Sequence, residues 1–319
     1  MIQYLRKSNN QIVTIDAPEK DCWINIFPPF NQENLKALSE ELNIPYDYLI
    51  DSIDINERSR FEQEDDVKLI VINTPIQNSA ESGIAEDVQF IAIPIGIILT
   101  GEMIVTISAA KNPVIDYYVG KVIKNLLPHE REKFVLHILE RNADYYLHYL
   151  QQINKKRNEF EQELYNSSRN EELSKLLNLQ KGLVYFSTNL RTNELVLMKM
   201  HRTNFLGLAS DEYAENLFED ILIDNKQALE MTDVYTNILN GTMDAFASII
   251  SNNLNKVLKR LTSITIVLMV PTLVASFYGM NTKLPFTSTS TDVSFWLILA
   301  ASLVFSLLIV LLFRKKDFF

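Results

Sequence analysis

Cysteine is almost absent. Cys22 is the one thiol in 319 residues, which excludes an intramolecular disulfide and with it a disulfide-stapled secreted scaffold. Basic charge is also short: 30 Lys and Arg face 40 Asp and Glu, a net of −10. That balance argues against a duplex-binding protein, which needs a basic face, so no nucleic acid is expected as partner. No glycine-rich phosphate loop is present, and ATP hydrolysis is not expected. The four histidines, His129, His137, His148 and His201, lack a zinc-ligand spacing such as His-Glu-x-x-His, so an enzyme is not expected. His137 and His148 read as helix-surface residues. Arg6 and Lys7 interrupt the first apolar stretch, which leaves no expected secretory signal there. Apolar residues are plentiful. At 47% of the chain they rule out disorder and suffice for one or two domains with a sizeable core.

Charge is missing from two places in particular. Leu261 to Thr282 is 22 residues without a charge, and Val293 to Phe313 is another 21. A bilayer core of about 30 Å needs about 20 apolar residues in a helix, so both qualify as spans. The alternative is two buried helices of a soluble protein. Residues 261–319 carry a net charge of +2, which leaves −12 on the first 260. Lys256, Lys259 and Arg260 precede the first span, and Arg314, Lys315 and Lys316 follow the second. Basic flanks stay cytoplasmic. The expectation is a multi-pass protein of the cell (plasma or inner) membrane, with both termini and a large acidic domain inside and an external loop at 283–292.

Proline divides the remainder. Eight of the ten prolines lie at or before Pro128, and none lies between His129 and Val270, which reads as extended helix. Turn-forming residues interrupt that stretch at 166–170 and 207–210, and Ser210 is the expected N-cap of a helix whose first turn holds Asp211 and Glu212. This helix is expected to run from Asp211 to near Tyr278, roughly 100 Å at helical rise. A helix of that length needs neighbours or copies to pack against; the same pattern fits an ordinary coiled-coil stalk. Residues 1–128 form a mixed α/β module. Its strands are predicted at 11–15, 22–27, 67–73, 88–99 and 103–108, with a hairpin turn at 100–102 and helices at 31–42, 45–50 and 116–127. The expected organisation is thus 1–128 α/β domain, 129–260 long-helix bundle and stalk, 261–282 first span, 283–292 loop, 293–313 second span and 314–319 basic tail.

Hydroxyls and amides gather on one face of the first span. Helical steps of three and four from Asn255 meet Leu258, Thr262, Thr265, Met269, Thr272, Ser276 and Gly279. From Leu261 to Tyr278 the only other hydroxyl, apart from the Tyr278 phenol, is Ser263. Such a stripe meets protein or water rather than lipid, although serine and threonine also serve as helix–helix contacts. Around an axis of several copies it becomes a narrow pore whose polar rings touch a hydrated ion and whose apolar rings close by dewetting. No carboxylate lies in the span, and magnesium gives up water reluctantly, so neutral oxygens against a hydration shell match that ion.

The run Pro271-Thr272-Leu273-Val274-Ala275-Ser276-Phe277-Tyr278-Gly279-Met280-Asn281 closely resembles the signature of CorA-type magnesium transporters, in which Gly-Met-Asn ends the first of two C-terminal spans. The two spans, the proline-bearing helix and the basic tail extend the resemblance over roughly the whole chain, with the N-terminal module matching loosely. It implies a funnel-shaped homopentamer: an α/β N-terminal cytoplasmic domain, long α-helices, and two C-terminal transmembrane helices, the first of which lines a central pore. It implies a selectivity filter at Gly279, Met280 and Asn281, with Asn281 amide oxygens capturing the hydrated ion. Asn255 matches an inner polar ring; Leu261, Met269 and Thr272 fall at constrictions, Leu261 lying beside the stripe; Arg314, Lys315 and Lys316 match a basic belt. Neutral oxygens do not forbid cobalt or nickel as further cargo, and magnesium is implied both as cargo and as a cytoplasmic regulator bound between subunits, with Asp244 at the regulatory carboxylate position. Its partner stays open among Glu64, Asp65, Asp66, Glu86 and Asp87.

Asp211 to Asn255 holds nine acidic residues against Lys226 alone, so copies of this surface repel unless cations intervene. Passage is expected to run passively down the electrochemical gradient. The loop departs from the family: Lys283 has the wrong sign for gathering cations, which leaves selectivity mainly to Asn281. Two other readings remain, a transporter of zinc or another transition metal on the same fold, and a non-conducting membrane-anchored coiled-coil signalling protein.

Overall fold

The computed structural model of the chain describes residues 1–8, 11–78, 88–101, 103–119, 130–167, 170–280 and 291–315. They form two compact units, Met1–Thr242 and Met243–Phe319.

The first unit is built on a seven-stranded sheet ordered β2-β1-β3-β7-β6-β5-β4. Its strands are β1 (Ile2–Ser8), β2 (Gln11–Ile15), β3 (Trp23–Ile26), β4 (Arg60–Glu64), β5 (Val67–Gln77), β6 (Phe90–Thr100) and β7 (Met103–Ser108). All neighbours are antiparallel except β3 and β7. Both faces are covered, so β5 and β6 read as nearly unbroken apolar runs. Leu69, Val71, Ile98 and Ile107 pack with α1 (Gln32–Leu42) and α2 (Tyr46–Asp51). The alternate residues Ile70, Ile72, Ile95 and Ile97 pack with α3 (Pro113–Asp116), α4 (Arg131–Ser167), α5 (Asn170–Arg202) and the start of α6 (Glu212–Tyr278). The period of two, with a helical layer on either side, accounts for the composition of both strands.

Five expected strands are present. Two further strands, β1 and β4, were not in the sequence reading. β4 (Arg-Phe-Glu-Gln-Glu) is an edge strand with one apolar residue, so it carries almost no hydrophobic signal. The β6–β7 hairpin pairs Thr100 with Met103, and Gly101 adopts φ +48°, a left-handed conformation suited to glycine. Glu102 lies outside the described residues. Of the helix expected at 116–127, residues 116–119 fall among the described residues: α3 (Pro113–Asp116) starts three residues earlier, where Asn112 accepts the Val114 N–H as its N-cap, and 117–119 form turns. Residues 120–127 lie outside the described residues.

Asn73 of β5 fastens the long helices to the sheet. Pro94 stands opposite it and has no N–H to offer. The Asn193 carboxamide of α5 instead accepts the Asn73 N–H at 3.0 Å and donates to its carbonyl at 2.8 Å. Tyr146 Oη and Asn142 Nδ2 of α4 donate to the same carbonyl, at 3.1 and 3.3 Å. Asn73, Asn142 and Asn193 are all buried, where an unmade bond costs about 1–3 kcal/mol. Gly182 lets α5 approach β6 closely, since a Cβ there would sit 3.1 Å from the Phe90 carbonyl oxygen.

The N-cap of α6 is Asp211 and not Ser210. Its Oδ1 accepts the Ala214 N–H at 3.1 Å, and its Oδ2 lies 2.7 Å from Lys133 Nζ on α4. The turn through Gly207, at φ +74°, delivers the carboxylate rather than the hydroxyl to the helix end, where an ion partner waits. Lys133 first, and the Ala214 N–H second, hold the Asp211 carboxyl below the usual aspartate range.

Candidate ion path

The second unit holds the C-terminal part of α6 and α7 (Thr291–Lys315). Both helices are long and apolar enough to cross a membrane, and only 6% of the most apolar window of each is buried within the chain. A soluble protein's core helices would be mostly covered within the chain, and these two are not. At about 1.5 Å per residue, the 25 residues of α7 exceed a hydrocarbon core of about 30 Å.

The polar stripe is uncovered along its length. Asn255, Leu258, Leu261, Thr262, Thr265, Met269, Thr272 and Ser276 are all exposed in the single chain. Ser263, the hydroxyl off the stripe, is 1% exposed and donates to the Lys259 carbonyl at 2.8 Å. Two serines of α7, Ser302 and Ser306, are buried as well. Beyond the basic residues at its end, α7 had no features in the sequence reading; Ser302 and Ser306, four residues apart, were the signal, because small residues mark positions where helices are covered.

Two of the four stripe hydroxyls have a defined polarity. Thr265 donates its proton to the Leu261 carbonyl at 2.9 Å, and Thr272 donates to the Leu268 carbonyl at 3.0 Å. With each proton committed inside the helix, the oxygen keeps only acceptor capacity toward the surroundings. Pro271, inside α6, offers no N–H to the carbonyl one turn before it. The helix ends at Tyr278. Gly279 still donates to the Ala275 carbonyl at 2.9 Å, while Met280 turns to the Phe277 carbonyl at 3.3 Å. This shift from four residues back to three tightens the last turn. Met280 is exposed, and Asn281 lies outside the described residues.

Arg314 and Lys315 occupy the last turn of α7, where positive charge complements the helix C-terminus; both are exposed, and Lys316 lies outside the described residues. Asp244 is exposed on α6, and its carbonyl accepts from the Ser248 hydroxyl at 3.1 Å. In the first unit, Glu64, Asp65 and Asp66 sit exposed at the β4–β5 hairpin, with Asp65 at φ +50°. Glu86 and Asp87 lie outside the described residues. Among the described residues no group of three or more His, Cys, Asp or Glu side chains is placed to hold a metal. Like charges do crowd within the first unit. Partial burial, and then Asp144, Asp220 and Glu140, push the Asp224 carboxyl above its ordinary value.

The family model described as "CorA-like Mg2+ transporter protein" matches residues 19–315. The chain is 30% identical over 300 residues to a cobalt/magnesium transport protein CorA of Methanocaldococcus jannaschii, covering 92% of this chain and 90% of that one. The complete structure of a CorA magnesium transporter from the same organism superposes with a TM-score of 0.81 at 25% identity, over 100% of this chain and 99% of that chain. The cytoplasmic domain of a ZntB from Vibrio parahaemolyticus shares the fold at 14% identity and a TM-score of 0.52, over 76% of this chain and 98% of that chain.

Proposed function

Because this chain belongs to the CorA-like Mg2+ transporter family, we propose that it is a passive, ligand-gated channel for hydrated magnesium, with cobalt and nickel as further cargo. Five copies surround one axis, with the α6 stripe of each facing inward and α7 outside. Both termini lie in the cytoplasm, as the basic flanks of the two spans favour. The inside-negative potential contributes about 2.3 kcal/mol per charge per 100 mV, doubled for a divalent ion.

The observation that carries this reading is the pairing of an uncovered stripe with hydroxyl protons already spent on the helix. A hydrated magnesium ion presents water hydrogens outward and exchanges that water reluctantly. Its path needs acceptors, and acceptors are what Thr265 and Thr272 offer. Asn281 supplies the outer amide ring, held by the turn at Gly279 and Met280, and Asn255 the inner one. Leu258, Leu261 and Met269 form apolar rings that empty of water when narrowed. Thr262 and Ser276 continue the acceptor line, and Arg314, Lys315 and Lys316 form a belt at the cytoplasmic mouth.

Gating follows from the acidic surface. Asp224 and its neighbours are crowded already within one chain, and apposing five such chains raises the repulsion further. Magnesium bound between subunits, at Asp244 among other carboxylates, relieves it and holds the closed state. Once cytoplasmic magnesium falls, the subunits separate and the path hydrates. The test is flux into liposomes read with an internal magnesium dye. Wild type conducts and Asn281→Ala loses most of the flux while its particle mass is unchanged. Undiminished flux in that variant removes the filter assignment.

A further inference from the structure

A second polar feature lies wholly within the first unit and takes no part in the ion path. Gln3, Asn25 and Thr106 align across β1, β3 and β7, beside the one parallel pair in the described sheet. The Trp23 indole donates to Thr106 Oγ1 at 2.8 Å, and Thr106 Oγ1 lies 3.0 Å from Asn25 Oδ1. An indole nitrogen can only donate. Thr106 therefore accepts from Trp23 and gives its own proton to Asn25 Oδ1, which fixes the orientation of the amide. The Asn25 NH2 group is left with no protein acceptor among the described residues, although Asn25 is only 6% exposed.

Asn25 lines a cavity of about 280 Å³ outside the carboxyl ends of β3 and β7. In open, mostly parallel α/β sheets such a crevice is the usual place for a ligand; here the one parallel pair, β3 and β7, supplies it. The volume falls just under the range of roughly 300–1,000 Å³ for drug-sized ligands, so the occupant is small. Ile95, Ile107, Ile115 and Val119 give it an apolar wall, while Lys111 and Asp116 stand at the rim. One cation and one anion leave the rim with no net charge. A simple anion or cation opposes one of the two, whereas a zwitterion satisfies both. We propose that this cavity binds an α-amino acid with an aliphatic side chain. The carboxylate takes the Asn25 NH2 and Lys111, the ammonium faces Asp116, and the side chain lies on the isoleucine wall.

Calorimetric titration of the full chain in detergent with L-leucine tests the assignment. Saturable binding is expected. Leucinamide, without the carboxylate, and 4-methylpentanoate, without the ammonium, bind at least about tenfold more weakly. Lys111→Gln alters an exposed side chain and weakens L-leucine by about tenfold without moving the melting temperature. Asn25→Asp replaces the donor with a repelling oxygen and abolishes binding; should that variant not fold, Lys111→Gln and the two analogues decide. Asn281→Ala binds L-leucine as wild type does, because the cavity is independent of the filter. No saturable heat up to about 10 mM L-leucine, analogues that bind equally well, or an unchanged Lys111→Gln overturns the proposal.

Discussion

Thr265 and Thr272 differ from most polar residues in a span because their hydrogen bonds have a direction that matters. Each spends its proton on the carbonyl one turn back, and what remains is an acceptor. Replacing either with valine keeps the shape and removes that acceptor. Thr272→Val is therefore expected to lower magnesium flux by roughly tenfold, about 1.4 kcal/mol of barrier, with no change in particle mass; equal flux denies the hydroxyls a part in passage. In the first unit, Asn193→Leu leaves the Asn73 backbone pair without its carboxamide. The expected cost is about 1–3 kcal/mol, read as a lowered thermal midpoint. Asp224 has the opposite sign. Its carboxyl is raised, so the ionised form is disfavoured by the fold and neutralising it is favourable. Asp224→Asn should raise the midpoint in magnesium-free buffer, and the gain should shrink as magnesium is added.

At the scale of elements, the junction of α4 with α6 gives a pH dependence whose sign is fixed. The Asp211 carboxyl is depressed by Lys133 and by the Ala214 N–H. Its contribution is present above the ordinary aspartate value and is lost as pH falls through the depressed one. Wild type should lose thermal stability over that acid range more steeply than Asp211→Asn, and parallel curves contradict the capping role. The long helices were legible because proline is absent for more than 140 residues and nothing else in the chain resembles that stretch. The two candidate spans were legible because charge vanishes. The edge strand β4 was hidden, since an edge needs charge and gives up the apolar alternation that marks a strand. The cap of α6 was misplaced by one residue because Ser210 and Asp211 both suit the position, and the choice between them is made by Lys133, 78 residues earlier in the sequence. The stripe of α6 could be read at helical period, whereas which faces of α7 are covered depends on packing that periodicity does not encode.

At the scale of the whole molecule, the proposed channel needs several copies, and the acidic stretch from Asp211 to Asn255 opposes bringing them together. Magnesium is expected to reconcile the two. Protease protection of the first unit should rise with magnesium in wild type and rise less in Asp244→Ala; identical protection withdraws Asp244 from the regulatory role. Native mass spectrometry should give five subunits, and one or two would contradict the arrangement.

Whether the stripe faces water is best asked of the stripe itself, and the chain is suited to the question. Its single thiol, Cys22, is 1% exposed and burial pushes its pKa up, so a background of labelling is not expected. Thr272→Cys places a thiol on the stripe and Leu273→Cys places one a third of a turn away. Treating each in liposomes with a charged, membrane-impermeant thiol reagent during magnesium uptake should block the first and spare the second. Equal block at both positions, or an untouched Thr272→Cys, would mean that this face of α6 lines no water-filled path.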